Sequence, residues 1–169
     1  MRPDKYITIE EEIRLTTELG DQLLKAGYNA SNCVIVTVST DYSSHVGMWL
    51  RHHLSYEGEV CEGFGIDVPY PDEIWNDSYV NEMYEIFKIH SKKFQTKALI
   101  FVEAGVIRGG NYTYITNWVK NHVDNKKLIT LTLYENLGSK WKSDFVGEYY
   151  DDETEDLTFW WERPNNHWS

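Results

Sequence analysis

A short segment in the second half of the chain combines residue types that can hold an anion. An apolar run, 98–102, is followed by Glu103, and a glycine pair opens the polar segment 109–113. A glycine turn between a strand and a helix presents backbone N–H groups and the positive end of the helix, which together suit a phosphate group. Arg108 would add a guanidinium fork beside them. A tight strand-to-helix turn without a ligand explains the glycine pair equally well.

Other reactive side chains do not have the spacing of a known site. His52 and His53 are adjacent, so they cannot share a helix face as a zinc pair would, and we interpret them and His45 as solvated or capping residues. Cys33 and Cys61 belong to no CxxC pair or disulfide framework. We expect both to be reduced, buried thiols.

Alternating helices and strands must position the glycine turn. The predicted helices run from the Thr8/Glu11 capping box to residue 27 and over 46–54, 78–94 and 112–123. The predicted strands span 33–39, 59–64, 98–102 and 128–134. This order predicts a single α/β domain, 1–169, with a mostly parallel, twisted sheet flanked by helices. Ligands of such sheets bind at the carboxyl ends of the strands, which selects the loops 39–44 and 103–113.

The end of the chain carries two further apolar segments. Residues 145–150 and 157–161 are separated by an acidic loop, and this pattern predicts a C-terminal β-hairpin. Trp160 and Trp161 could stack on a base, but aromatic side chains of an edge strand pack against the core more often. We therefore expect these two tryptophans in the core.

Composition excludes several classes of protein. The 169 residues include 27 acids and 16 Lys or Arg, for a formal charge of −11. The stretches 52–87 and 143–162 contain no Lys or Arg, so nucleic-acid binding is disfavoured, and we favour a solvated acidic face over an acidic partner site. No apolar run approaches the roughly 20 residues of a membrane span, and the first residues lack the apolar stretch of a signal peptide. A cytoplasmic protein without a membrane partner is expected.

Four segments resemble one family. The segment 98–111 resembles the signature of the type I phosphoribosyltransferases: a hydrophobic strand, two acids and a T-G-G-T-like loop that binds the 5-phosphate of phosphoribosyl pyrophosphate (PRPP). Residues 7–54 are similar to the opening of the xanthine-guanine and hypoxanthine (6-oxopurine) members. Residues 142–147 resemble their K-P-D-Y/F-V-G segment, and 159–162 resemble their F-P-W-E ending. The landmarks follow the family's order and cover nearly the whole chain.

The resemblance implies an activity and a set of site residues. The activity is transfer of 5-phosphoribosyl from PRPP to a purine-type nucleobase with release of pyrophosphate, assisted by Mg²⁺. Glu103 matches the catalytic acid that holds the ribose hydroxyls and the metal. The implied substrate-binding residues are Ser39 and Thr40 for pyrophosphate, Arg108, Gly109, Gly110, Asn111, Tyr112 and Thr113 for the 5-phosphate, and Phe145 and Val146 for the base. The expected partners are small molecules, namely PRPP and a nucleobase or nucleoside monophosphate. Members of the family often form homodimers, so the resemblance also implies a possible homodimer.

Several positions depart from the family pattern. Ala104 replaces the second acid, and Ile107 replaces the acid that handles the purine N7 proton. Asp41 lies in the pyrophosphate loop where an Arg-Gly pair is usual, and Glu135 takes the place of a basic residue. A carboxylate facing pyrophosphate is unfavourable unless a metal intervenes. These departures motivate a second hypothesis, a non-catalytic nucleotide-binding, phosphate-binding or regulatory protein on the same fold.

Overall fold

The computed structural model describes residues 4–38, 40–56, 58–66, 85–86, 89, 97–123 and 127–162, of which residues 40–42 are described by their backbone only. Within these ranges the helices are α1 (Ile9–Lys25), α2 (Thr40–Leu54) and α3 (Gly110–His122), and residues 85–86 and 89 are also helical. The strands are β1 (Asp4–Ile7), β2 (Cys33–Val38), β3 (Glu62–Ile66), β4 (Ala98–Val106), β5 (Leu128–Asn136), β6 (Phe145–Tyr150) and β7 (Asp156–Phe159), followed by a 3-10 turn at Trp160–Glu162.

Five strands form a parallel sheet in the order β3-β2-β4-β5-β6. β2, β4 and β5 are buried along nearly their whole length because helices cover both faces, which explains their continuous apolar runs. The predicted α/β class and the mostly parallel sheet flanked by helices are confirmed.

Two clusters of buried side chains lie between the sheet and the helices, one on each face of the sheet. On one face, α1 and α2 pack against alternate residues of the central strands, among them Ile35, Ile100 and Leu131. On the opposite face, α3 packs against Val36 and Phe101. The helix that follows β2 and the helix that follows β4 therefore lie on opposite faces. The sheet consequently has its crevice between the carboxyl ends of these two neighbouring strands.

The predicted C-terminal hairpin is not formed. β6 extends the main sheet parallel to β5, whereas β7 pairs in parallel with β1 in a separate two-stranded sheet. The acidic turn after β6 is closed by Thr154 and Glu155 N–H groups donating to the Asp151 carbonyl. Alternating residues reveal a strand but not its partner, and the four-residue β1 is too short to be recognised from the sequence.

Several element boundaries also differ from the predicted ones. α2 begins six residues earlier than expected, at Thr40, and β4 continues to Val106 instead of ending at residue 102. β3 begins at Glu62, because Glu59 instead forms an antiparallel bridge with Tyr56 around Gly58, whose φ is +89°. Most of the helix predicted over 78–94 lies outside the described residues.

Two minor predictions concern the core and the membrane. Cys33 and Cys61 are both buried and free, as expected. Among the helices that the structure describes, none combines the length and the apolar character that crossing a bilayer requires.

Candidate functional site

The glycine turn lies at the carboxyl end of β4, beside the crevice of the sheet. α3 begins at Gly110, and its N-cap is Gly109, which has a left-handed backbone (φ 77°, ψ 19°) and no side chain to cap the helix. The first intrahelical bond runs from the Thr113 N–H to the Gly109 carbonyl. The N–H groups of the preceding first turn have no acceptor within the helix, and such groups commonly bind anions.

The loop after β5 packs directly against this turn. A Cβ atom at Gly109 would lie 2.1 Å from the Cβ of Trp141, so only glycine fits at this contact. Asn136 Nδ2 donates to the Ile107 carbonyl at 3.1 Å, and the ring of Trp141 lies 5.8 Å from that of Tyr112. The two loops therefore form one rim at the carboxyl ends of β4 and β5.

The two loops carry cationic residues although the whole chain is strongly acidic. Arg108, Lys140 and Lys142 are all exposed. The Lys142 Nζ donates to the Leu137 carbonyl at 3.3 Å and lies 3.5 Å from Oε1 of Glu135. Because Trp141 contacts the glycine turn, Lys140 and Lys142 belong to the loop that packs against this turn.

Glu103 lies beneath the turn, inside β4. Its side chain points to the α3 face and is only 5 % exposed. Burial raises the pKa of Glu103 to about 8, against a smaller opposing effect of its hydrogen bond with the Asn111 side chain. Its Oε1 has no hydrogen-bond partner among the described residues. Near neutral pH, Glu103 is therefore mainly a neutral carboxylic acid.

Tyr112 anchors the helix and does not offer its side chain to a ligand. Its side chain is fully buried, and the hydroxyl group contacts the carbonyl oxygens of Phe101 and Leu131. Burial, and then the nearby Glu103, raise the pKa of Tyr112 far above its ordinary value. Of the predicted clamp, Arg108, Gly110 and Thr113 are exposed, and the Thr113 hydroxyl donates to the Gly109 carbonyl at 2.9 Å.

Ala104, at the position of the family's second acid, belongs to the opposite face of the sheet. It packs in the cluster under α1 and α2, and its N–H donates to the Ser43 Oγ at 3.1 Å. Glu103 is thus the sole carboxylate that β4 directs toward the turn. Among the described residues, no group of three or more His, Cys, Asp or Glu side chains is arranged to hold a metal ion.

These residues do not fit the Mg²⁺ that the resemblance implies. Metal ligands must be deprotonated, whereas burial favours the protonated form of Glu103. Mg²⁺ also keeps several water molecules, and a carboxyl group buried to this extent leaves little room for a hydrated ion.

The other predicted residues are not gathered at the turn. Ser39 lies outside the described residues, and Thr40 is described only as the first backbone residue of α2. Phe145 of β6 pairs with Leu131 of β5. Leu131 lies four residues before Glu135, which pairs with Val106 at the turn, so Phe145 is about 13 Å from the turn along the strand direction. Its ring contacts Tyr28 edge to face at 6.5 Å. Val146 is half-buried and pairs with Thr132, one residue closer to the turn.

A polar and aromatic cluster near the carboxyl ends of the strands was not predicted from the sequence. His45 Nε2 lies 2.7 Å from Oε1 of the buried Glu12, and Oε2 of Glu12 accepts from the Trp160 indole at 2.9 Å. The ring of His45 packs on Trp161 at 4.2 Å. The interpretation of His45 as a solvated or capping residue is thus wrong, whereas Trp161 packs on the core as expected. The sequence feature that could have predicted this cluster is Glu12, an acid on the apolar face of α1 three residues before Leu15.

The other two histidines are simpler. His52 is exposed, as expected. His53 Nε2 lies 2.9 Å from Oδ1 of Asp21, which ties α2 to α1.

Comparison with solved structures relates this architecture to known proteins. The xanthine-guanine-hypoxanthine phosphoribosyltransferase of Helicobacter pylori matches with a TM-score of 0.67 and 14 % identity, over 95 % of this chain and 94 % of that one. A purine phosphoribosyltransferase from Pyrococcus horikoshii matches with a TM-score of 0.66 and 16 % identity, over 95 % of each chain.

A third structure carries a ligand in its description. A hypothetical protein from Neisseria gonorrhoeae with bound ppGpp matches with a TM-score of 0.72 and 12 % identity, over 98 % of this chain and 92 % of that one. No protein-family model matches the chain, and no curated protein sequence matches it either. At these identities the likeness concerns the backbone, and this chain has the fold of the purine phosphoribosyltransferases.

Proposed function

We propose that this protein binds the phosphate group of a nucleotide-type ligand at the glycine turn and does not transfer a phosphoribosyl group. The observation that carries the proposal is the contrast within the segment 103–113. Arg108 and Gly110 are exposed beside the N-terminus of α3, which suits an anion, whereas Glu103 is buried and mainly neutral. This contrast supports anion binding at the turn without a metal-binding acid beside it.

The comparisons support a purine nucleotide as the ligand class. Two of the matching proteins are described as purine or xanthine-guanine-hypoxanthine phosphoribosyltransferases, and a third as holding ppGpp. A purine nucleoside phosphate has both the purine base and the phosphate groups that these names mention. The position of the base is left open, because Phe145, the predicted stacking residue, contacts Tyr28 away from the turn.

Isothermal titration calorimetry tests the proposal. The ligands are inorganic phosphate, ribose 5-phosphate, GMP, IMP, ppGpp and PRPP. We expect binding of at least one nucleoside phosphate, weakened about tenfold or more in Arg108→Gln, because a charged hydrogen bond to phosphate is lost. The matched control is Lys120→Gln, which removes one exposed positive charge from the last turn of the same helix. Featureless titrations with every ligand would end the proposal.

Phosphoribosyl transfer is the second candidate, favoured by the shared fold. Native protein incubated with PRPP, Mg²⁺ and a panel of purine bases would then release pyrophosphate, and such release would overturn the binding-only proposal. We expect no release. Activity that appears only in Ile107→Asp, a substitution at an exposed residue of the turn, would indicate that the native site has lost this acid.

A further inference from the structure

The two cysteines of the chain lie side by side at the amino ends of two neighbouring strands. Cys33 is the first residue of β2, and Cys61 immediately precedes β3. The parallel register pairs Val34 with Glu62, so one step back along both strands places Cys33 opposite Cys61. Both side chains belong to the buried cluster beneath α1 and α2, so they point to the same face of the sheet.

The spacing of the two strands suits a bond between the sulfur atoms. Neighbouring strands lie about 4.8 Å apart, and the Cα atoms of disulfide-linked cysteines are about 4.4–6.8 Å apart. The side chains of Cys33 and Cys61 are already hydrogen-bonded to each other. A disulfide between them therefore needs no change in the pairing of β2 with β3.

The surroundings make Cys61 the more acidic of the two thiols. Its hydrogen bond with Cys33 and the positive charges of Arg51 and Lys97 lower the pKa of Cys61, although burial opposes them. The Arg51 Nε also donates to the Cys61 carbonyl at 3.0 Å, which fixes the guanidinium group nearby. The same thiol–thiol hydrogen bond, together with burial, raises the pKa of Cys33. Because the thiolate is the nucleophilic form of cysteine, Cys61 is the thiol that reacts first.

From this arrangement we infer that Cys33 and Cys61 are a modification site, at which hydrogen peroxide forms a reversible disulfide. The Cys61 thiolate attacks one oxygen of the peroxide, the O–O bond breaks, and a sulfenic acid forms while the other oxygen leaves as water after protonation. The Cys33 sulfur then attacks the sulfenic sulfur. The S–S bond forms, the S–O bond breaks and a second water molecule leaves. Two thiols thus lose two electrons and two protons, and one hydrogen peroxide becomes two water molecules.

The cover over Cys61 is a short surface turn. Both thiols are 0 % exposed, so an oxidant as large as another protein cannot reach them. Cys61 directly follows Val60, which is 67 % exposed, in the turn that joins α2 to β3. In this turn the N–H groups of Tyr56 and Glu59 each donate to the carbonyl of the other residue. Local opening of so small a unit, beside an edge strand of the described sheet, admits hydrogen peroxide while the central strands stay paired.

The disulfide would act on the fold and not on the glycine turn. It closes a loop over residues 34–60, which contains most of β2 and the whole of α2. A bond that closes such a loop restricts the unfolded chain and stabilises the folded one. The thiol pair lies at the amino ends of the strands, whereas the glycine turn lies at the carboxyl end of β4. Oxidation of the pair is therefore independent of phosphate binding at the turn.

Mass spectrometry of the full chain tests this inference. The reduced native protein is treated with hydrogen peroxide without denaturant, the remaining thiols are blocked with iodoacetamide, and the protein is digested. We expect the intact mass to fall by about 2 Da before blocking, a peptide in which Cys33 is linked to Cys61, and recovery of both thiols with dithiothreitol. The oxidised protein should also unfold at a higher urea concentration than the reduced protein.

Two matched variants separate the steps of the reaction. Cys33→Ser and Cys61→Ser each leave one thiol, so neither should show the loss of about 2 Da. Dimedone should trap a sulfenic acid faster in Cys33→Ser, which keeps the more acidic thiol, than in Cys61→Ser. If either substitution prevents folding, the linked peptide from native protein still decides the question.

Other outcomes would overturn the assignment. These are unchanged thiols in the folded native protein, separate sulfinic or sulfonic acids without a linked peptide, and disulfides between two chains. A link between Cys33 and Cys61 that forms only in the presence of urea would overturn it as well, because it would arise from the unfolded chain.

Discussion

Glu103 illustrates how one residue takes a different role from the one its sequence position suggests. It follows an apolar run, where the related signature places a metal-binding acid. In the folded chain, however, β4 continues past it and α3 covers it. Burial without a cation partner favours the neutral carboxyl form. The residue is therefore better suited to a hydrogen bond than to metal coordination.

The raised pKa of Glu103 predicts that the stability of the protein depends on pH. The Glu103 carboxyl loses its proton near pH 4.5 when the chain is unfolded but only near pH 8 in the folded state. Between these values the folded state binds more protons, so its stability falls as the pH rises, by up to about 1.4 kcal/mol for each pH unit. Urea unfolding of native protein and Glu103→Gln at several pH values measures this. The variant should lack this part of the slope.

An exposed acid provides the control for this experiment. Glu153, in the turn after β6, is exposed, and Glu153→Gln should keep the slope of the native protein. Parallel stability profiles for native protein and Glu103→Gln would show that the carboxyl group of Glu103 is ionised in the folded state.

At the scale of elements, the junction of β4 and α3 depends on one glycine. Gly109 combines a left-handed backbone with a contact to Trp141 that leaves no space for a Cβ atom. The position of the loop after β5, and with it Lys140, follows from that contact. The rim at which we propose anion binding is therefore formed by two loops and not by the turn alone.

Gly109→Ala should destabilise the protein more than a matched glycine substitution. Gly27 also has a positive φ, +89°, but apart from its chain neighbours no atom lies within 4 Å of the position of its Cβ. Gly27→Ala should cost about 1–2 kcal/mol from backbone strain alone. Gly109→Ala should cost about 1–3 kcal/mol more, because Trp141 must move. Urea denaturation compares the two, and equal losses would exclude a role for the Trp141 contact.

Local patterns predicted the elements near the site better than their ends. The glycine turn, the apolar part of β4 and the helix after it were recognisable because their residue types act within a few positions of each other. The extension of β4 to Val106 was not, because polar Glu103 and Gly105 interrupt the apolar pattern. Those residues stay in the strand through pairing with Thr132 and Tyr134 of β5, which is a long-range effect.

At the scale of the molecule, the first and last described strands hold each other. β1 and β7 pair over four residues, and Ile7 of β1 is buried in the cluster beneath α1 and α2. Lys5 and Arg14 both contact the Glu148 carboxylate of β6, at 3.0 and 2.7 Å, and these contacts lower the pKa of Glu148. The beginning of the described chain is thus attached to the edge of the main sheet.

Ile7→Ala should therefore be costly although it lies in a short strand near the beginning of the chain. Its side chain is 0 % exposed, so truncation should cost about 2–5 kcal/mol. Ile9→Ala, with a side chain 39 % exposed, should cost much less, about 0.5 kcal/mol. Thermal and urea unfolding measure both. A small loss for Ile7→Ala would show that β1 is not part of the cooperative fold.

The amino-acid sequence by itself determined the class of fold, the buried central strands and the presence of a glycine turn before a helix, because these depend on residue types at short spacing. Tertiary structure alone decided that Glu103 is buried, that Phe145 contacts Tyr28 away from the turn, and that β7 pairs with β1. Each of these depends on contacts between residues far apart in the chain. Burial and pairing of that kind set the charge and the neighbours of a side chain, so the chemistry of the rim follows from the tertiary structure.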